Sequence, residues 1–146
     1  MYKPLPKQLT IKQSPIEGLG LYATESIKKN SFIGVTHVRD EQFENKYIRT
    51  PIGGFYNHSN NPNVIRMVSD TLPKLKFGDS IDLKKNTREE KDEETGLDKT
   101  FYHLQEKSDA RYMFLISIKD IKTGEEIVAN YNLYTYPKTG IGLQTL

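Results

Sequence analysis

The sequence contains no cysteine, and only three of its 146 residues are histidine. The absence of cysteine excludes disulfides, zinc sites built from thiolates and a cysteine nucleophile. His37, His58 and His103 show no helical i, i+4 spacing, and no carboxylate completes a set of metal ligands. No metal site is therefore predicted, and packing must supply the stability of the fold.

An excess of charge of one sign is also lacking, because 21 lysines and arginines are balanced by 19 aspartates and glutamates. This balance does not indicate a broad phosphate-binding surface, so a nucleic-acid partner is not expected. No apolar run approaches the ~20 residues that cross a bilayer, and residues 1–10 lack the apolar core of a secretory signal. These absences predict an intracellular protein, cytoplasmic or nuclear, without a membrane partner.

Short segments of strand type are frequent, whereas helix signals are few. The length predicts one domain, residues 1–146, and the strand signals predict a mostly β fold. Residues 39–49 space their apolar side chains roughly as a helix does, which predicts a short helix or an irregular turn. Residues 84–99 carry dense charge and predict a single solvated helical turn or a mobile hairpin tip, with a functional acidic patch as the alternative. Strands are predicted over residues 9–13, 31–38, 64–68, 72–83, 101–104, 111–118 and 125–131.

Residues 53–63, GGFYNHSNNPN, are the stretch around which we expect the chain to be organised. Their composition does not continue a strand or a helix. It predicts a rigid polar turn that enters a strand, with asparagine and serine side chains bonding nearby backbone groups and Pro62 fixing one φ angle. An ordinary surface turn would have the same composition.

Residues 17–23, EGLGLYA, hold two glycines that permit a positive φ angle or a close approach of another segment. A tight turn or a bulge is the simpler explanation of this pattern by itself. The last predicted strand ends on Tyr131, and Tyr134 and Tyr136 follow closely. A flat apolar ring with a polar tip suits the mouth of a narrow pocket or an interface, and packing against the core is the alternative.

Three motifs, taken in chain order, are similar to those of the SET-domain protein lysine methyltransferases. They are S-P-x-x-G-x-G-x-x-A at residues 14–23, N-H-S-x-x-P-N at residues 57–63 and I-K-x-I-K-x-G-E-E-I-x-x-x-Y at residues 118–131. The resemblance covers about residues 9–136, and the conjunction is far more specific than any part. The chain most resembles the small stand-alone viral type.

This resemblance implies a SET-domain fold of short curved β-sheets, with few short helices and a C-terminal segment threaded under a loop as a pseudoknot. The knot would bring the strand that ends at Tyr131 beside the polar turn. The resemblance further implies S-adenosylmethionine as the cofactor and a lysine of a protein substrate, a histone or another protein, as the methyl acceptor. Tyr131 would stand at the methyl-transfer site, and Tyr47 and Tyr134 would line the substrate channel. The residues expected to bind the cofactor are Glu17, Gly18, Leu19, Gly20, Phe55, Asn57, His58 and Tyr136.

The chain also departs from the family pattern. Residues 31–38 lack the acidic and aromatic residues often found there, and a charged insert occupies about residues 72–107. Ala129 stands where many members carry an aromatic residue that limits the number of methyl groups. The substrate protein and the methyl number are therefore not predicted. The alternative interpretation is a catalytically inactive SET-like module for binding or dimerisation, and a homodimer through the aromatic tail is left open.

Overall fold

The structure is a computed structural model that describes residues 4–43, 46–81, 102–103 and 111–135. These residues form nine strands and no helix, which confirms the predicted mostly β fold for this part of the chain. Here no segment is a helix of the length and apolarity that a membrane crossing requires. The strands are β1 (Leu9–Gln13), β2 (Leu19–Ala23), β3 (Phe32–Arg39), β4 (Tyr47–Arg49), β5 (Asn57–His58), β6 (Val64–Ser69), β7 (Tyr102–His103), β8 (Tyr112–Ser117) and β9 (Val128–Thr135).

The strands form two sheets. The hairpin of β1 and β2 is antiparallel, with Ile11 opposite Leu21. The larger sheet has the order β4-β3-β8-β6-β9-β5, and β7 also pairs with β9. Strand β8 lies inside this sheet between β3 and β6, as its nearly continuous apolar sequence predicts.

Apolar side chains cover both faces of β8. Phe114 and Ile116 are fully buried in one cluster together with Met67, whereas Leu115 between them is fully buried in a second cluster. The second cluster also contains Leu21 of the β1–β2 hairpin, so it joins the two sheets. Burial of each such side chain is worth roughly 1.5–3 kcal/mol, which makes this two-sided core the main source of stability.

The predicted short helix or irregular turn over residues 39–49 is wrong in part. Strand β3 continues to Arg39 and β4 begins at Tyr47, with Val38 opposite Ile48. The turn that joins them includes Lys46 at a φ of 63°. Three apolar residues at helical spacing are too few to form a buried face, whereas the exposed edge of β3 offers backbone partners.

The predicted weak strand over residues 72–83 is not formed in its described part, residues 72–81. The feature of this segment that most resembles a strand is an isolated antiparallel bridge between Ser31 and Ser80. Pro73 lacks the amide that a ladder needs, and Gly78 adopts a φ of 87° that a strand does not allow. The charged residues 84–99 lie outside the described residues.

The C-terminal strand β9 is inserted between β5 and β6, two strands that follow each other directly in sequence. It runs parallel to both of them, with His58 and Val64 on opposite sides of Ala129. The connection from β5 to β6, residues 59–63, must therefore cross β9. Such a crossing is rare in proteins, and it forces the polar turn against the last strand.

Candidate active site

The polar turn is held against β9 by main-chain and side-chain hydrogen bonds. The amide of Ser59 donates to the carbonyl of Ala129 (3.0 Å), and the amide of Asn63 donates to the carbonyl of Val128 (3.0 Å). The buried Asn63 side chain accepts from the amide of Val128 (2.9 Å) and donates to the carbonyl of Glu126 (2.8 Å). An asparagine side chain thus replaces a strand partner, and the backbone groups it bonds belong to a distant segment rather than to the nearby one predicted from the composition of the turn.

One expectation about this stretch is corrected. The composition of residues 53–63 was expected to exclude a strand, yet Asn57–His58 form the two-residue strand β5. The two residues pair with Val128 and Ala129, whose backbone groups would otherwise lack partners on that side. Long-range pairing overrides local propensity here.

The Glu126 carboxylate gathers side chains from three distant parts of the chain. Asn57 Nδ2 donates to its Oε2 (2.8 Å), and Ser14 Oγ lies 2.9 Å from each carboxylate oxygen. The Tyr22 hydroxyl donates to its Oε1 (3.3 Å). An ionised carboxylate accepts several donors at once, so Glu126 fixes the mutual positions of the hairpin, the polar turn and the start of β9.

Asn57 also bonds directly to the glycine-containing segment. Its Nδ2 is 3.2 Å from the carbonyl oxygen of Glu17 and 3.3 Å from that of Leu19. The amide nitrogen is therefore committed to the protein. Among the described residues, no donor meets Asn57 Oδ1, so this oxygen is available to accept a hydrogen bond from a ligand.

The two glycines of this segment have different roles. Gly18 adopts a φ of 47°, a region that side chains rarely occupy. Gly20 lies on β2, where an added Cβ would overlap the Glu126 carboxylate. The GxG pattern therefore provides one turn and one close approach of the Glu126 carboxylate to the hairpin backbone.

Tyr131 is tied to the polar turn at both ends. Its amide donates to His58 Nδ1 (2.9 Å), and its hydroxyl donates to the carbonyl of Tyr56 (2.6 Å). The Tyr131 ring meets the rings of Tyr56 and His58 edge-on, with centroids 5.6 and 5.0 Å away. Because Nδ1 of His58 accepts, its Nε2 carries the proton of the neutral ring and donates to Asn60 Oδ1 (3.3 Å). The expected convergence of Tyr131 with the polar turn is confirmed.

The Tyr131 side chain is partly open to solvent, with 42% of its surface exposed. Burial of the rest raises the pKa of its hydroxyl, whereas the charges of Arg66 and Arg49 oppose that rise. Tyr131 is therefore a neutral phenol at neutral pH. Since its proton is donated to Tyr56, its oxygen can still accept hydrogen bonds from an N–H group.

Strand β4 also approaches this site, although three strands separate it from β9 in the sheet. Arg49 of β4 acts on the pKa of Tyr131, so the sheet must curl to bring its edge near the site. Tyr47 of the same strand meets the His37 ring edge-on at 6.0 Å. Burial lowers the pKa of His37 to about 4, and the nearby charges of Arg66 and Arg49 add to this effect.

The remaining predicted residues lie as follows. Phe55 is partly buried and packs against the core cluster that contains Leu21, rather than lying open at the turn. Tyr134 belongs to β9, and its backbone is opposite Arg66 of β6 and Tyr102 of β7. Tyr136 lies outside the described residues. The ligand-binding roles of all these residues stay predictions.

Three residues of the site were missed from the sequence. Glu126 and Ser14 are part of the motifs, but no local pattern indicates that their side chains form a hydrogen bond with each other. Arg66 had a visible signal, because it is the one charged residue within the otherwise apolar run of β6 before Ser69. In the described part of the chain, no three acidic or histidine side chains lie close enough together to hold a metal ion.

No family model matches the chain, and no curated protein matches it. Among solved structures, the chain is similar to a crystal structure from Plasmodium falciparum described as a candidate histone methyltransferase. The identity is 18%, the match covers 84% of this chain and 96% of that chain, and the TM-score is 0.48.

Proposed function

We propose that this protein transfers a methyl group from S-adenosylmethionine to the lysine side chain of a protein substrate. The observation that carries the proposal is the hydrogen bonding of Tyr131 to residues 56–58, while Asn57 binds the backbone of the segment 17–19. These are the three SET-like motifs, and they meet in one place.

The described residues fit the proposed cofactor. Asn57 Oδ1 is free to accept from an ammonium group, and Glu17 and Glu126 place negative charge near Tyr131 on the hairpin side. S-adenosylmethionine carries an ammonium and a sulfonium cation, both of which this acidic side would stabilise. The backbone beside Gly18 and the backbone of His58 would complete its contacts.

The cofactor, when bound, supplies a methyl carbon activated by the positive sulfur. The protein must present a neutral amine to it, although a free lysine has a pKa near ~10.4. The Tyr131 hydroxyl donates a hydrogen bond to the Tyr56 carbonyl, so its lone pairs remain available. The oxygen would accept a hydrogen bond from the amine, which directs the nitrogen lone pair away from it. Tyr47 and Tyr134 are proposed to line the approach of the substrate. Alignment of nitrogen and methyl carbon would provide most of the rate gain.

The test is incubation of the protein with isotope-labelled S-adenosylmethionine and a panel of lysine-containing proteins, histones included. We expect label on lysine of at least one protein, located by mass spectrometry, and none with Tyr131→Phe. Cofactor binding without transfer to any protein would favour the alternative of an inactive binding or dimerisation module. Failure to bind the cofactor would exclude methyl transfer and leave only a module that binds or dimerises without it.

A further inference from the structure

Strand β9 bulges at Tyr131. Its pairing with β6 joins Ala129 to Val64 and then Tyr134 to Arg66, so it advances five residues on β9 against two on β6. Four residues of β9, 130–133, therefore face one residue of β6, Ile65, and none of the four has a register partner on β6. A bulge of this kind turns side chains in a new direction but leaves backbone groups to be satisfied by other means.

Arg66 occupies the gap that the bulge creates. Its side chain is only 7% exposed, and its Nη2 donates to the carbonyl oxygen of Tyr131. The guanidinium carbon lies 5.1 Å from the Tyr131 ring centroid and 5.8 Å from that of Tyr56. One buried cation thus holds the main chain of Tyr131 and also contacts its ring.

We propose that Arg66 is a positioning residue of the methyl-transfer site. It fixes the bulge that presents Tyr131, and its permanent positive charge favours the neutral form of an amine bound at the Tyr131 oxygen. This inference rests on the proposed function. An arginine suits both tasks, because its planar fork can donate to a carbonyl while its face contacts an aromatic ring.

The charged groups around Tyr131 are divided by sign. Glu17 precedes β2 and Glu126 precedes β9, and both belong to the network around Asn57. Arg66 and Arg49 come from β6 and β4, and both also act on His37 of β3. A cationic methyl donor therefore suits the hairpin side. A protonated amine that approached from the β3–β4 side would be repelled, which favours loss of its proton.

His58 and Tyr56 are the titratable side chains whose rings contact that of Tyr131. Nδ1 of His58 accepts from the Tyr131 amide. Protonation of His58 would remove that acceptor, so pH profiles need to be compared above the range in which a histidine titrates. Within the described part of the chain, the charged and titratable groups found to act on or contact Tyr131 are Glu17, Glu126, Arg49, Arg66, His58 and Tyr56.

Two substitutions separate the anchor from the charge. Arg66→Gln keeps a donor for the Tyr131 carbonyl but removes the charge, whereas Arg66→Lys keeps the charge but loses the planar fork. Arg111→Met is the matched control, because it removes an arginine charge from the exposed start of β8. Urea unfolding establishes first that each variant is folded. If R66Q is not folded, the measurements below are made on R66K alone.

The first measurement does not need catalysis. The ultraviolet titration of each protein is compared with that of its Tyr131→Phe partner, so that the difference isolates the Tyr131 phenol. We expect R66Q to raise the pKa of this phenol by about one unit, and R66K and R111M to shift it far less. An unchanged phenol pKa in R66Q would overturn the proposed charge effect whether or not the protein methylates lysine. If R66Q does not fold, R66K is titrated alone, and a phenol pKa raised by about one unit although the charge is kept overturns the effect.

The second measurement is the pH dependence of kcat for methyl transfer at saturating substrate, because kcat reports groups in the enzyme–substrate complex. Its acidic limb, which reports loss of the amine proton, should move up by about one unit in R66Q and stay in place in R66K. A limb that does not move in R66Q, in an active protein, would leave the proposed function intact and reduce Arg66 to a structural anchor. In R66K alone, a limb that moves up by about one unit would overturn the charge effect. If the unmodified protein transfers no methyl group, the proposed function is wrong. The phenol titration would then still test the effect of the Arg66 charge.

Discussion

The main-chain amide of Tyr131 donates a 2.9 Å hydrogen bond to Nδ1 of His58, although 73 residues separate the two in sequence. The Tyr131 hydroxyl donates to the carbonyl of Tyr56, two residues before His58. Both ends of the tyrosine are thus fixed to one tripeptide. The position of the phenol oxygen is therefore fixed by the main-chain carbonyl of Tyr56 and by the ring of His58.

Tyr131→Phe should lower the turnover of methyl transfer about 100-fold or more, with cofactor affinity nearly unchanged. The hydroxyl is proposed to orient the amine, whereas the cofactor is proposed to bind through Asn57 and the segment before β2. The check is kcat from methyl transfer and Kd for S-adenosylmethionine from calorimetry. Tyr112→Phe on β8 is the control and should change neither quantity. Loss of cofactor affinity with turnover retained would contradict the assignment.

Glu126→Ala should lower the free energy of unfolding by about 1–3 kcal/mol. The substitution leaves the donors of Ser14, Tyr22 and Asn57 without their shared acceptor. It should also weaken cofactor binding, because Asn57 would lose its fixed orientation. The check is urea unfolding together with calorimetry.

The neighbouring carboxylate provides the control for this experiment. Glu125 is exposed and accepts only the amide of Lys122 (2.8 Å), so Glu125→Gln should change the free energy of unfolding by less than about 0.5 kcal/mol. Equal effects at Glu125 and Glu126 would mean that the network around Asn57 does not stabilise the fold.

Gly53→Ala should destabilise the protein far more than Gly54→Ala. A Cβ at Gly53 would overlap the carbonyl of Thr36, which lies in the interior strand β3 and cannot retreat without breaking the ladder. At Gly54 the nearest atom would be 3.7 Å away, an ordinary contact. We expect a loss of about 2 kcal/mol or more for Gly53→Ala and little change for its neighbour. Similar midpoints of urea unfolding for the two variants would contradict this view of the turn.

The strands that could be predicted from the sequence are those in which the pattern of apolar residues reflects the burial of the strand. The run from Tyr112 to Ser117 is apolar because both of its faces are covered, and Asn63 signals a turn because its side chain replaces a strand partner. Strand β4 carried no such signal. It exists because the edge of β3 needs partners, which residues 47–49 alone do not reveal.

The candidate site was predicted only through the resemblance. Nothing local indicates that Ser14 meets Glu126, a pair 112 residues apart in sequence. Nor does the sequence show that β9 passes between β5 and β6, because that choice depends on long-range pairing. Arg66 could have been suspected, since a cation in an apolar strand must find a partner.

His37 should make the stability of the protein decrease as the pH falls. Burial holds the pKa of its ring at about 4 in the folded state, helped by Arg66 and Arg49, whereas an unfolded histidine titrates near ~6.5. Below pH ~6.5 the unfolded chain binds a proton that the folded protein does not accept. The stabilisation is therefore complete above pH ~6.5 and is lost as the pH falls to about 4.

The loss between these two pH values should be up to about 3 kcal/mol, measured by urea unfolding at several pH values. His37→Gln should flatten this slope, because a glutamine side chain does not titrate. Gln also keeps a donor for Thr36 Oγ1, which lies 2.8 Å from His37 Nδ1 and itself donates to the carbonyl of Met113. Carboxylates that titrate in the same range contribute equally to both proteins, so the difference between them isolates the histidine. His58→Gln is the comparison at a more exposed ring. Parallel slopes in the unmodified protein and His37→Gln would show that the buried ring takes up its proton as easily as an unfolded one does.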